Sequence, residues 1–214
     1  MRPRLAGTLS TLLLCTLLNA CTTYDKPLTP ALFPAQTPAP SLDATDVSLE
    51  LADPDQHYRS PRLRQYLVEV EVPIGRIVEA AGRLALAAEF AQVADAKGAD
   101  PRTLRLQVDG ITADADSRLI YFVPLGPFPL QRIDVKTRLA FRVHLVGPGD
   151  TVRWSQPYDS GMELLKLQRK GLVLEPVQDG IQRQMHEQAA RLMRQAARDL
   201  RGWLEQERRR ERVM

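Results

Sequence analysis

From Val177 to Trp203, apolar and small residues return every three or four positions: Val177, Ile181, Met185, Ala189, Leu192, Ala196, Leu200 and Trp203. That spacing places them on one stripe of an α-helix. Pro176 suits a first helical turn, and nothing interrupts the run before Gly202. Glu187 with Arg191, and Glu205 with Arg209, sit at the i,i+4 spacing that adds a few tenths of a kcal/mol per pair. A helix of about seven turns with one apolar stripe needs a second layer to bury it. The rest of the chain must supply that layer.

The candidate layer is a sheet. Val47, Leu49 and Leu51 alternate with polar residues, as do Leu104, Leu106 and Val108. Leu67, Val68, Val70 and Val72 form another candidate strand, ended by Pro73 and Gly75. Leu139, Phe141, Val143 and Leu145 point one way, with Arg138, Arg142 and His144 the other way. Gly147-Pro148-Gly149-Asp150 then reads as the turn of a hairpin returning through Val152, Trp154 and Tyr158. Leu119 to Val123 is apolar on both faces, as in a buried strand or one covered by a partner. Between the first two strands, Asp53 to Arg64 reads as a polar loop, and Met162 to Gly171 as a mixed connector. Ile77, Ala81, Leu84 and Ala88, joined by Val78, Ala85 and Val93, predict an earlier helix of about five turns closed by Gly98. The fold expected is α+β: a small antiparallel-rich sheet with two helices on one face, the second a long C-terminal helix.

The N-terminal end has a different character. Arg2 and Arg4 precede an apolar run, Leu5 to Leu18, thinned by Gly7, Thr8, Ser10, Thr11 and Thr16. A basic start, a short apolar stretch and small residues before a cut site describe a secretory signal. The run is too short for a spanning helix of about 20 apolar residues. Leu18-Asn19-Ala20-Cys21 resembles the lipobox of a bacterial lipoprotein signal, although Asn19 stands where a small or hydroxyl residue is commoner. The resemblance implies lipid attachment (palmitate among the acyl groups) at Cys21, which becomes the mature N-terminus. The competing reading is an ordinary signal cut elsewhere. Thr22 follows Cys21, and the absence of Asp at that position implies, by the same resemblance, sorting to the outer membrane.

Pro27, Pro30, Pro34, Pro38 and Pro40 then crowd the stretch Thr22 to Asp46. Proline at this density favours extended chain at about 3.1 Å per residue, a tether of several tens of Å. Leu28, Leu32 and Phe33 would suit a strap docked on the domain instead. The organisation expected is a signal over 1–20, a lipid-anchored tether over 21–46, a periplasmic domain over 47–206 and a charged tail over 207–214.

Charge and chemistry narrow the functional classes. The chain of 214 residues has a formal net charge of +3, which falls by two to +1 when Arg2 and Arg4 leave with the signal. That balance lacks the electrostatic footprint of a nucleic-acid binder. With 44% hydrophobic and 26% charged residues, the class is globular rather than disordered or membrane-spanning. Cys15 and Cys21 both lie at or before the proposed cut, so no disulfide is expected in the domain. His57, His144 and His186 have no metal-ligand spacing, and neither metal nor cofactor is expected. Gly-x-Ser-x-Gly and Ser-x-x-Lys are absent, which leaves covalent hydrolase chemistry without its marker. Asp109, Asp114 and Asp116 lack the Gly and terminal Glu of a calcium loop and read as a solvated turn.

Three features remain. In Leu119 to Leu130, Pro124, Pro127 and Pro129 keep the later part out of a central sheet, leaving Leu125, Phe128 and Leu130 on a stiff loop. A partner or lipid chain would cover them, or the loop folds back on its own core. In the last helix, Arg183, Arg191, Arg194, Arg198 and Arg201 are followed by Arg208 to Arg210 and Arg212, with Glu187, Asp199, Glu205, Glu207 and Glu211 interleaved. A solvated face is one reading, and contact with anionic head groups or an acidic partner the other. Finally, Trp154 to Gly161, ending in Asp159-Ser160-Gly161, and the Pro176-x-x-Asp179-Gly180-Ile181 start of the last helix resemble the YajG-like group of bacterial envelope lipoproteins. That resemblance implies a tethered domain with an early helix, a sheet hairpin and a terminal helix, serving as an accessory part of transport, secretion or surface assembly.

The expectation is therefore an outer-membrane-anchored periplasmic lipoprotein, non-enzymatic, that scaffolds an envelope assembly or transport complex, with a protein partner and some self-association. The alternative is a binder or carrier of an apolar or anionic envelope ligand, and a cell-wall hydrolase is the third reading.

Overall fold

The computed structural model describes residues 46–59, 70–90, 92–95, 104–123, 130–170 and 175–213. The strands are β1 (Asp46–Leu51), β2 (Tyr58–Arg59), β3 (Glu71–Val72), β4 (Gln92–Asp95), β5 (Leu104–Val123), β6 (Leu130–Val146), β7 (Val152–Asp159) and β8 (Glu163–Lys170). Helix α1 spans Ile74–Glu89 and helix α2 spans Glu175–Val213. The main sheet runs β4-β1-β5-β6-β7, with β8 sharing the β6 edge. β1 is parallel to both β4 and β5, as the crossover through α1 requires, and the remaining pairs are antiparallel. The α+β class is as expected, with both helices against the same face of the sheet.

β6 is the spine. Along one edge it pairs with β5 from Leu130 to Val146, with register shifts at Asp109/Thr112 and Leu119/Tyr121. Its other edge is shared: β7 takes Ala140 to Val146 and β8 takes Leu130 to Thr137. The alternation expected of β6 is present, since Ile133, Val135, Leu139, Phe141, Val143 and Leu145 are buried with the helices. On the opposite face, β5 and β6 set Asp109 across from Arg142, Asp114 from Arg138 and Asp116 from Lys136. Opposite charges facing across two strands favour this register over a slipped one. The three aspartates are thus strand residues, not a turn, because the chain passes Gly110 (φ +59°) through a bulge and continues the ladder.

Several boundaries differ from the sequence reading. α1 ends at Glu89, because Phe90 turns to extended backbone (φ −126°, ψ 149°) and is buried. Val93, spaced as though helical, belongs to β4 opposite Val47, and Gly98 lies outside the described residues. Met162 to Gly171 is no simple connector, since β8 occupies most of it. Leu67 and Val68 lie outside the described residues, while Val72 does pair, with Tyr58. The charged segment after 206 continues α2 through Val213.

The loop after β1 has a job of its own. β1 ends at Leu51 opposite Val108, so among the described residues no strand pairs with that edge of β5 beyond this point. Backbone and side-chain groups of residues 52–58 take its place. Ala52 N donates to Val108 O (3.0 Å), and Gln56 Nε2 donates to Ile111 O (2.8 Å). The Tyr58 hydroxyl accepts from Ala115 N at 2.8 Å. Buried backbone donors and acceptors need partners, and these polar residues supply them.

α1 and α2 run parallel and close together. A Cβ on Gly82 would stand 2.6 Å from both Leu49 Cδ2 and Met193 Cε, so the missing side chain lets α1 approach β1 and α2 at once.

Candidate functional site

Of the residues singled out in the sequence, Leu18, Asn19, Ala20, Cys21, Leu125 and Phe128 lie outside the described residues. Leu130 opens β6, with its backbone opposite Val123 and Lys170. Arg194, Arg198 and Arg201 lie along α2 beside the other half of the sheet. Asp199, in their midst, accepts a hydrogen bond from the Tyr158 hydroxyl at 3.0 Å, and Tyr158 pairs with Phe141. Leu130 and Phe141 are eleven residues apart on one strand, on the order of 35 Å at about 3.3 Å per residue. The apolar and basic candidates therefore do not form a single patch.

The three arginines are held in different ways. Arg194 Nε donates to Ala190 O (3.1 Å), one turn back. Arg198 Nε stands 3.7 Å from Glu89 Oε1, and Arg201 Nη1 donates to Glu89 Oε2 at 3.2 Å. Arg201 Nε also reaches Glu205 (3.2 Å). Glu89 is the last residue of α1, where the helix dipole is negative and a carboxylate is unfavourable. Two guanidinium groups from α2 offset that charge and tie the end of α1 to the body of α2. Arg198 and Arg201 thus serve helix packing as well as facing solvent.

The helix as a whole sorts its charges in a way that composition hides. α2 turns its buried arc, from Ile181 and Met185 through Leu192, Ala196 and Leu200, towards the sheet and α1. Along its solvent side, stepping by three or four, run Arg183, Glu187, Arg191, Arg194, Arg198, Arg201, Glu205, Arg209 and Arg212, with Arg194, Arg201 and Glu205 half-buried at the margin next to neighbouring elements. Seven of these nine are arginines. Arg191 is paired with Glu163 at the start of β8. The interleaved acids do not all neutralise this line: Asp199 is turned to Tyr158, and Glu207 takes Arg210 (2.8 Å) around the side. Acid and base alternate in sequence but partly separate by helical angle, which counting residues cannot show.

On the far face of the sheet, His144 Nε2 and Asp109 Oδ2 are 3.1 Å apart, with the histidine side chain only 15% exposed. Its other nitrogen, Nδ1, is buried with no hydrogen-bond partner. A general base needs its free nitrogen open to substrate. Here the free nitrogen is the covered one, so the geometry is that of a strand-to-strand tie. The most economical tautomer places the proton on Nε2, facing Asp109, and leaves Nδ1 a bare lone pair.

Buried polar side chains gather at the other end of α2. Gln182, Gln184, His186 and Gln188 are all buried, and Gln188 Nε2 donates to Thr137 O (3.2 Å) and Thr137 Oγ1 (3.1 Å). Burial pushes the His186 imidazole down to about 4, so this histidine is neutral at pH 7. Among the described residues, no group of three or more His, Cys, Asp or Glu side chains is placed to hold a metal ion. No helix among them is long and apolar enough to cross a membrane.

Asp159-Ser160-Gly161, which carried the family resemblance, is a corner. The edge strand changes register there between β7 and β8. Ser160 N donates to Leu139 O (2.9 Å), and the Ser160 hydroxyl accepts from Leu139 N (2.9 Å). Gly161 (φ +66°) donates its N–H to Asp159 Oδ1 at 2.8 Å, and Arg138 Nε donates to the same oxygen at 3.0 Å. The Arg138 hydrogen bond, then the Gly161 N–H, holds the Asp159 carboxyl below the usual range. These residues make architecture, not chemistry.

No family model and no curated protein matches the sequence. Solved structures of similar shape are small bacterial proteins at low identity, lipoproteins among them. A neuraminyllactose-binding hemagglutinin homologue from Helicobacter pylori is 10% identical with a TM-score of 0.44, over 82% of this chain and 96% of its own. A minor lipoprotein from Acinetobacter baumannii is 13% identical with a TM-score of 0.39, over 74% and 93%. Rare lipoprotein B from Shewanella oneidensis is 19% identical with a TM-score of 0.31, over 78% and 99%.

Proposed function

We propose that this chain is a lipid-anchored envelope protein of the YajG-like kind. Its periplasmic domain, held at the outer membrane through Cys21, serves as a non-catalytic accessory or scaffold in an envelope assembly or transport complex. The observation that carries the reading is the leader itself: a basic start, a short apolar run, Leu18-Asn19-Ala20-Cys21, and then a proline-rich stretch long enough to act as a tether. The geometry around His144 fits a structural role, since its free Nδ1 is buried away from solvent.

The deciding experiment is in-cell crosslinking of the full chain, followed by pull-down and mass spectrometry, with Cys21→Ala as the unlipidated control. A specific envelope protein recovered with the lipidated form and lost with Cys21→Ala is the expected result. Recovery of the chain alone, or only with itself, would overturn the scaffold role. Co-purified lipid in that case would favour the carrier reading.

A further inference from the structure

We infer that the outward line of α2 is a docking surface for an anionic lipid bilayer, so that the domain lies with its helical layer on the membrane and its charged sheet face turned away. The inference rests on the lipid-anchor reading for its setting and adds an orientation to it.

The line is long and unbalanced. From Arg183 to Arg212 it covers 29 residue steps, about 44 Å of helix at 1.5 Å per residue. Its seven arginines face two acids of its own, Glu187 and Glu205. Two more acids reach it from the flanks: Glu163 on Arg191, and Glu89 on Arg198 and Arg201. Positive charge therefore remains in excess. Arg183, Arg209 and Arg212 are exposed and have no acidic partner among the described residues. Apart from Glu89, already counted, the neighbouring helix adds little negative field, because Glu79 is matched by Arg83 (2.9 Å). A row of cations spread over several tens of Å of helix fits an extended surface of phosphates better than it fits a compact ligand.

The tether makes such a contact effective. The proline-rich stretch enters the described domain at Asp46, whose strand lies beside the start of β5, and Arg105 of β5 is opposite Val146 at the end of β6. α2 runs the same way as β6 and passes this end, where Arg153 of β7 stacks over Trp203 at 5.7 Å. The segment carrying Arg209 and Arg212 thus projects past the end of the sheet at which the anchored stretch arrives. A contact of modest strength is enough once the surface is tethered nearby, because binding becomes intramolecular.

The test uses the full chain carrying Cys21→Ser, which takes no lipid, with sedimentation against phosphatidylcholine vesicles with and without phosphatidylglycerol. Tighter binding to the phosphatidylglycerol vesicles is expected, weakening by about 5-fold for each arginine lost to Arg183→Gln, Arg209→Gln and Arg212→Gln. Raising the salt should erase the preference. Arg142→Gln, on the opposite sheet face, should leave it unchanged. Equal binding to both vesicles, or a triple variant that binds as well as the parent, overturns the inference. An equal loss in Arg142→Gln overturns the orientation. Labelling of Cys21 with palmitate in cells reports on the anchor separately, so failure of one reading is distinguishable from failure of the other.

Discussion

His186 is where a single proton meets the fold's resistance most directly. Buried on α2, its imidazole titrates near 4 instead of 6.5. Between those two values the unfolded chain holds a proton that the native state refuses, so stability is full above about pH 6.5 and falls as the pH drops towards 4. The loss attributable to this residue is roughly 3 kcal/mol. Urea midpoints measured across that window should fall steeply for the parent and much less for His186→Gln; a parallel fall in both would assign the acid sensitivity elsewhere. Ser160 supports a second residue-level test. Its hydroxyl is the acceptor for the N–H of Leu139, a fully buried residue. Ser160→Ala should cost about 1–2 kcal/mol by equilibrium unfolding, with Ser160→Thr recovering part of it.

Among the elements, α1 is the one whose placement is most tightly dictated. A Cβ on Gly75 would stand 2.7 Å from Asp53 O, a backbone atom that cannot swing aside. Gly75→Ala should therefore destabilise by about 1–3 kcal/mol, while Gly82→Ala, which meets only the mobile ends of Leu49 and Met193, should cost less. Thermal melts of the two variants side by side would check the ranking. The helices and the β6–β7 hairpin were legible because each has a clean period and one buried face. β8 was not, because Leu164 and Leu165 fall on opposite faces of an edge strand and Leu164 remains exposed, so no alternation shows. The stretch containing Gln56 and Tyr58 shows only as a polar loop in the sequence for a related reason: its side chains complete the edge of β5, and such long-range hydrogen bonds leave no periodic trace. The candidate site was half legible. Arginine content flagged α2, but the angular separation of its charges, and the role of Glu89 in holding two of them, required the packing of α1.

At the scale of the whole molecule, one continuous core joins both helices to the sheet, from Val47 and Leu86 through Val143 to Ile181 and Leu200. Unfolding should then be a single transition. Trp154 and Trp203, packed at the same end of the core, report that end by fluorescence, while far-ultraviolet circular dichroism reports the full sheet and helices. Coincident denaturant curves from the two signals are expected; separated curves would show that the long β5–β6 hairpin opens independently. The outer edge formed by β7 and β8 has a consequence for how such molecules share a crowded surface. Pro157 has no N–H to offer along it, the Gly161 corner breaks its line, and Lys166 stands exposed beyond the corner. An interrupted, charged edge is a poor template for strand addition from a neighbour. Copies held at high density in two dimensions would therefore not join strand to strand through this edge.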